Sequence, residues 1–148
     1  MSNPAEVTRE TVLHVRDHCL CLHVQRAARA LARRFDEAFR PLGLTNGQFS
    51  LMMGLTGTEP PPMGRVATFL AMDRTTLTAA LKPLERRGLV EVRPHPTDRR
   101  SRVLVLTRAG RALLARAVPI WCETHGEVER SLPAGSADGL REGLKSLS

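Results

Sequence analysis

The chain has 148 residues, 42% of them hydrophobic but only 3% aromatic, with no Tyr. This length suits one domain with a real core, burying roughly 70% of the surface of the unfolded chain, and a Leu-, Ala- and Val-rich interior points to helices rather than a β-sandwich. The formal net charge is +7. No apolar run reaches the roughly 18 residues of a membrane span, MSNPAEVTRE lacks the start of a signal peptide, and three cysteines make no disulfide framework, so a reduced, cytoplasmic setting without a membrane partner is expected.

Residues 1–10 are polar and are expected to fray. From Thr11 to Leu42, apolar residues recur at Leu20, Val24, Ala28, Leu31, Phe35, Phe39 and Leu42. Steps of three and four predict one long amphipathic helix, ended by Pro41 and Gly43. Thr45 with Gln48 three residues on has the form of a capping box, opening a second helix through Leu55 that stops at Gly57. Glu59-Pro60-Pro61-Pro62 then reads as a stiff loop. A short helix is predicted over 64–70, and Asp73 can cap another from Arg74 to Arg87, with Gly88 just past its end. Two short helices joined so briefly suggest a helix-turn-helix, although Ala71 stands where a turn glycine is common.

Val90–Arg93 and Arg102–Leu106 read as strands joined by the polar loop from Pro94 to Ser101. Thr107 caps a long helix carrying Leu113, Leu114, Ala117, Trp121 and Val128 on one side, with Pro119 a predicted kink. Pro133-Ala134-Gly135 breaks the chain before a last helix with Leu140, Leu144 and Leu147. The fold class is therefore mainly α with a small β-wing. No internal repeat is visible.

The charge is localised. Between Arg74 and Arg116 there are eleven Lys/Arg against three Asp/Glu, a net +8; the rest of the chain has eleven against twelve. Such a segment is the electrostatic footprint of phosphate binding, although basic residues also simply solvate surfaces. A hairpin directly after a helix-turn-helix is a wing, and Arg99, Arg100 and Arg102 at its tip suit phosphates or a narrow minor groove. Asp98 is expected to hold the turn, pairing with Arg100. In the helix from Arg74, Leu77, Leu81 and Leu84 should face inward. Arg74, Thr75, Thr78, Ala79, Lys82 and Arg86, with Thr76 beside them, are left for double-stranded DNA: hydroxyls and Arg for base edges, methyls for thymine, Lys for phosphate.

With these features the chain resembles the MarR family of bacterial winged-helix regulators. Asp98-x-Arg100-x₅-Leu106-Thr107-x₂-Gly110 agrees with that family's wing-and-helix signature. Leu42-Gly43-Leu44-Thr45 with Gln48-Phe49, and Leu84-Glu85-Arg86-Arg87-Gly88-Leu89-Val90, extend the likeness over roughly residues 13 to 147. The resemblance implies a homodimer. Its dimerisation helix would be 11–42, its winged helix-turn-helix 45–107 and its C-terminal dimerisation helices 108–147. It further implies a pseudo-palindromic operator, and repression relieved by a small phenolic ligand or an oxidant. Exposed leucines on the terminal helices agree with a dimer.

One branch of the family senses organic hydroperoxides through a Cys near the start of the first helix, a position that corresponds to Cys21. That branch activates its thiol with Tyr hydroxyls, where this chain has Phe35 and Asn46. Cys19 neighbours Cys21, and Cys122 lies on the helix where some members carry a second cysteine. All three also read as small packing residues, the usual role of a buried Cys. A metal set of His14, His18, Cys21, Cys19 and His23 lacks the spacing of structural zinc sites, so no metal and no cofactor are expected. For a small aromatic ligand the candidate pocket residues are His23, Phe49, Met52, Met53 and Trp121, which are also plausible core.

No Ser/His/Asp set, phosphate-cradling loop or zinc-hydrolase motif appears, so the chain is not read as an enzyme; a thiol oxidoreductase would need an activated thiolate. The leading reading is a sequence-specific repressor released by a small phenolic-type ligand. Its alternatives are a thiol-based repressor using Cys21 and, beyond that, a non-specific DNA-architectural protein with steep salt dependence.

Overall fold

The computed structural model describes residues 7–148. Of the stretch expected to fray, residues 1–6 lie outside the described residues, while Arg9 and Glu10 already belong to helix α1 (Arg9–His18), capped by Thr8 Oγ1, which accepts the Thr11 N–H at 3.2 Å. The single helix expected over 11–42 is in fact two. Cys19 is extended, with φ −68° and ψ 108°, and α2 (Leu20–Phe39) starts after it. Cys19 both ends α1 and caps α2: its carbonyl accepts the His23 N–H at 3.1 Å, and its Sγ accepts the Leu22 N–H at 3.4 Å. The sulfur thus meets one of the N–H groups that every helix start leaves open. At the other end, residues Arg40–Leu42 tighten into a 3-10 turn with Pro41 near its start, and Gly43 takes the left-handed φ of 64° that closes it.

The chain forms two compact units, one up to Arg34 and one from Phe35 to Ser148. The first contains α1 and most of α2 and leaves Val12, Val15, Leu20 and Leu31 exposed.

The second unit holds α3 (Asn46–Met53), α4 (Met63–Phe69), α5 (Arg74–Arg86), β1 (Val90–Pro94), β2 (Arg102–Leu106), α6 (Arg108–Ser131) and α7 (Ala137–Ser146). The capping box at α3 is complete: Thr45 Oγ1 accepts the Gln48 N–H at 3.1 Å, and Gln48 Oε1 accepts the Thr45 N–H at 3.0 Å. This helix ends at Gly54, earlier than Gly57. Asp36, on the last turns of α2, accepts both the main-chain and side-chain N–H groups of Asn46, at 2.7 and 2.8 Å. These bonds, the main-chain one first, hold its carboxyl below the usual carboxylate range.

The hairpin pairs antiparallel from Val90 opposite Leu106 to Pro94 opposite Arg102. The proline loop is more than a spacer. Pro62 bridges to Val103, and the Pro61 carbonyl accepts the Leu104 N–H at 3.0 Å, adding a third edge to the wing sheet. Prolines lack the N–H for a full ladder, so the pairing stays short.

The core packs Phe39, Leu51, Met52, Leu77, Leu81, Leu84 and Leu104, all essentially inaccessible, with Phe39 stacked on Phe49 at a centroid distance of 4.8 Å. Each such side chain contributes about 1.5–3 kcal/mol. Leu77, Leu81 and Leu84 therefore anchor α5 to the domain while its other face stays exposed.

Candidate nucleic-acid interface

Helix α5 begins at Asp73, whose Oδ1 accepts the Thr76 N–H at 2.7 Å. That bond, with the Thr76 hydroxyl next in weight, keeps the Asp73 carboxyl below its ordinary range. Arg74, Thr75, Thr76, Thr78, Ala79, Lys82 and Arg86 are all exposed, while Leu77, Leu81 and Leu84 are buried. Thr78 is partly committed. Its hydroxyl donates to the Arg74 carbonyl at 2.8 Å, so it turns a methyl group and an acceptor lone pair outward. Arg74 reaches back over the first turn of α4: a Cβ added to Gly64 would sit 3.5 Å from its Nη2.

The turn before α5 places Ala71 at φ 52°, in the left-handed region where a turn glycine is common. Beyond α5, Arg87 donates to the carbonyls of Gly43 at 2.7 Å and Leu42 at 3.2 Å. It ties the end of the recognition helix to the 3-10 turn. Sequence reading missed this role, because a residue 44 positions away in the chain supplies the acceptor.

The wing is a closed network of main-chain bonds. The His95 N–H donates to the Ser101 carbonyl and the Ser101 N–H to the Asp98 carbonyl, both at 3.1 Å. Asp98 Oδ1 accepts the Arg100 N–H at 3.0 Å. The expected partnership of Asp98 and Arg100 is thus to the Arg100 main chain and leaves its guanidinium outward. Arg99, Arg100 and Arg102 are exposed, and with Arg74, Lys82 and Arg86 they form no ion pair among the described residues. Arg93, by contrast, is held by Glu91 at 2.5 Å.

At the foot of the wing, Thr107 Oγ1 donates to the Gly88 carbonyl at 2.6 Å and accepts the Gly110 N–H at 3.0 Å. A methyl group on Gly110 would overlap the Leu89 carbonyl oxygen and Leu106 Cδ1, so only glycine lets α6 start there.

The candidate sensing residues belong to both compact units. Phe49 and Met52 are buried in the core rather than lining an open pocket, and Met53 is exposed. Trp121 is half-buried and stacks on His125 at 4.5 Å. His23 belongs to the first compact unit and donates from Nδ1 to the Cys19 carbonyl at 2.8 Å. Cys19 is half-buried, Cys21 and Cys122 are exposed, and all three are free thiols. Gln25 Nε2 donates to Cys21 Sγ at 3.0 Å. His14 and His18 stack at 4.3 Å on α1, but the break at Cys19 interrupts the helical face they were expected to share with Cys21. No group of three or more His, Cys, Asp or Glu among the described residues is placed to hold a metal.

A buried-face, open-face recognition helix followed by an Arg-tipped hairpin defines a winged helix-turn-helix DNA-binding protein. No helix among the described residues is long and apolar enough to cross a membrane. The chain belongs to the MarR family of transcription regulators, which are DNA-binding proteins rather than enzymes, and the family model matches residues 44–101. It is similar to the M. tuberculosis transcriptional regulator MosR in complex with DNA, at 38% identity and a TM-score of 0.80, covering 88% of this chain and 93% of that one. It is also similar to the repressor CouR of Rhodococcus jostii bound to a 23-mer duplex, at 30% identity and a TM-score of 0.79, covering 97% and 99%. The repressor NicR of Pseudomonas putida is 33% identical over 76 residues, 51% of this chain and 48% of NicR. In three of the curated relatives, NicR among them, the matched stretch spans about half to three fifths of their length, from 48% to 61%.

Proposed function

We propose that this chain acts as a homodimeric repressor that reads a pseudo-palindromic operator. Helix α5 enters the major groove, and the wing grips phosphate or the adjoining minor groove. The observation that carries this reading is the set of exposed cations, free of ion pairs, on α5 and on the wing within one compact unit. Arg99, Arg100 and Arg102 supply charge, and Thr75, Thr76 and Thr78 supply base-edge contacts. Relatives named as repressors support the direction of regulation.

For the signal, the thiols have more support than an aromatic ligand, because Phe49 and Met52 are spent on the core whereas Cys21 is exposed. In this reading the Cys21 thiol attacks an organic hydroperoxide, giving a cysteine sulfenic acid and the alcohol. Phenolic release is the second reading, for which half-buried Trp121 and exposed Met53 are the residues left.

The test is affinity for a duplex selected by the protein from a random pool, at fixed salt. Arg100→Ala should weaken binding to all duplexes alike, and Thr78→Val should change which duplex is preferred. A pool without any enriched sequence would leave only an architectural role. Stoichiometric cumene hydroperoxide should release the wild type and not Cys21→Ser. Retention of both on the duplex returns the search to aromatic ligands.

A further inference from the structure

The wing contains a side chain that no reading of charge explains. His95 is half-buried just past the end of β1, and its ring turns onto the main chain of the loop. Nδ1 accepts the Asp98 N–H at 3.1 Å and the Thr97 N–H at 3.2 Å. The Thr97 hydroxyl lies 3.4 Å away. A ring nitrogen that accepts two main-chain N–H groups carries no proton, so this geometry selects the neutral tautomer with hydrogen on Nε2. The bonds through Asp98 and Ser101 close the rest of the loop, and the three arginines project from it.

We propose that His95 is a positioning residue of the DNA interface. Its neutral imidazole holds the wing tip in the form that aims Arg99, Arg100 and Arg102, and protonation releases it. A proton on Nδ1 would set one donor against two others, and both bonds would be lost together. The inference rests on the wing's proposed role in DNA binding. The charged groups of the hairpin are Glu91 and Arg93 on β1, paired to each other, Arg102 on β2, and Asp98, Arg99 and Arg100 in the loop. Carboxylates and guanidiniums as classes keep their charge between about pH 5.5 and pH 8. The other histidines are common to wild type and to variants of position 95, so a ratio of affinities isolates His95.

Asparagine is the informative replacement, because its Oδ1 can take the place of Nδ1 as acceptor and cannot be protonated in this range. The probe is the duplex selected by the wild type at about pH 8. There His95→Asn should bind within about twofold of wild type, and His95→Ala about tenfold more weakly, each of the two lost bonds being worth about a factor of three. Acidification to about pH 5.5 should then lower wild-type affinity relative to His95→Asn by about tenfold, with the Asn-to-Ala ratio unchanged. A wild-type-to-Asn ratio that stays constant with pH, or full affinity in His95→Ala, overturns the proposal. Nitrogen chemical shifts of the His95 ring at about pH 8 give a check without DNA. An unprotonated Nδ1 supports the geometry, and a protonated one overturns it. A chain with the expected tautomer that selects no duplex overturns the DNA reading and the role of His95 with it.

Discussion

At Ala71 a Cβ occupies a backbone conformation that penalises it. The left-handed region costs an L-residue roughly 1–2 kcal/mol, and φ here is 52°. Ala71→Gly relieves that strain but gives the unfolded chain more freedom, which returns about 0.4–1 kcal/mol. The difference favours the variant by about 0.5–1 kcal/mol, a rise of roughly 2–4 °C in the melting temperature at this size. Differential scanning calorimetry would check it; a lower melting temperature would mean that the Ala71 methyl packs more tightly than it strains. Gly110 shows the opposite case. Its signature position was legible in the sequence, but the reason, a main-chain carbonyl of Leu89 against its α-carbon, was not.

Among the elements, α5 was the most legible. Asp73 marks its start, Gly88 its end, and the Leu77, Leu81 and Leu84 spacing its buried side, so the opposite face could be named residue by residue. The helix over 11–42 was misjudged because its apolar register runs straight through Cys19, which is neither proline nor glycine. The sulfur contact that lets the chain restart there depends on three-dimensional geometry. The third edge of the wing sheet was hidden because it uses proline carbonyls, and His95 and Arg87 were missed because their acceptors and donors are main-chain atoms. The Asp73 cap also gives α5 a dependence on acid. Its folded carboxyl is more acidic than an ordinary one, so its contribution is complete above the unfolded value of about 3.9 and is lost as pH falls through the lowered folded value. Asp36, lowered by Asn46, adds to the same side. Asp73→Asn keeps an acceptor without a titrating charge. In urea unfolding across pH, wild type should lose stability below about pH 4 more steeply than Asp73→Asn. Parallel curves would show that the cap carries no linkage.

At the scale of the molecule, the apolar surface and the charge make one requirement. Leu140 and Leu144 on α7 and Leu147 at its C-cap are 47%, 42% and 63% exposed, on a helix with Asp138 and Glu142 available to solvate its other side. An isolated chain gains nothing from such a stripe, whereas the second copy of the proposed dimer would cover it. The proposed dimer would also double the phosphate contacts: each wing and α5 would neutralise its own half-site, and the dependence of affinity on salt grows with the number of phosphates, with a slope of about −0.9 for each. Leu144→Glu should therefore separate the protomers while leaving the core intact, since Leu144 is no part of it. Sedimentation should show a monomer, the salt slope should fall by about half, and affinity for the selected duplex should drop by about a hundredfold or more as the second half-site stops acting through linkage. A variant that stays dimeric would take α7 out of the interface. A monomer with an undiminished slope would mean that one winged helix makes every phosphate contact, and the exposed leucines would then serve some other contact than the one that reads the operator.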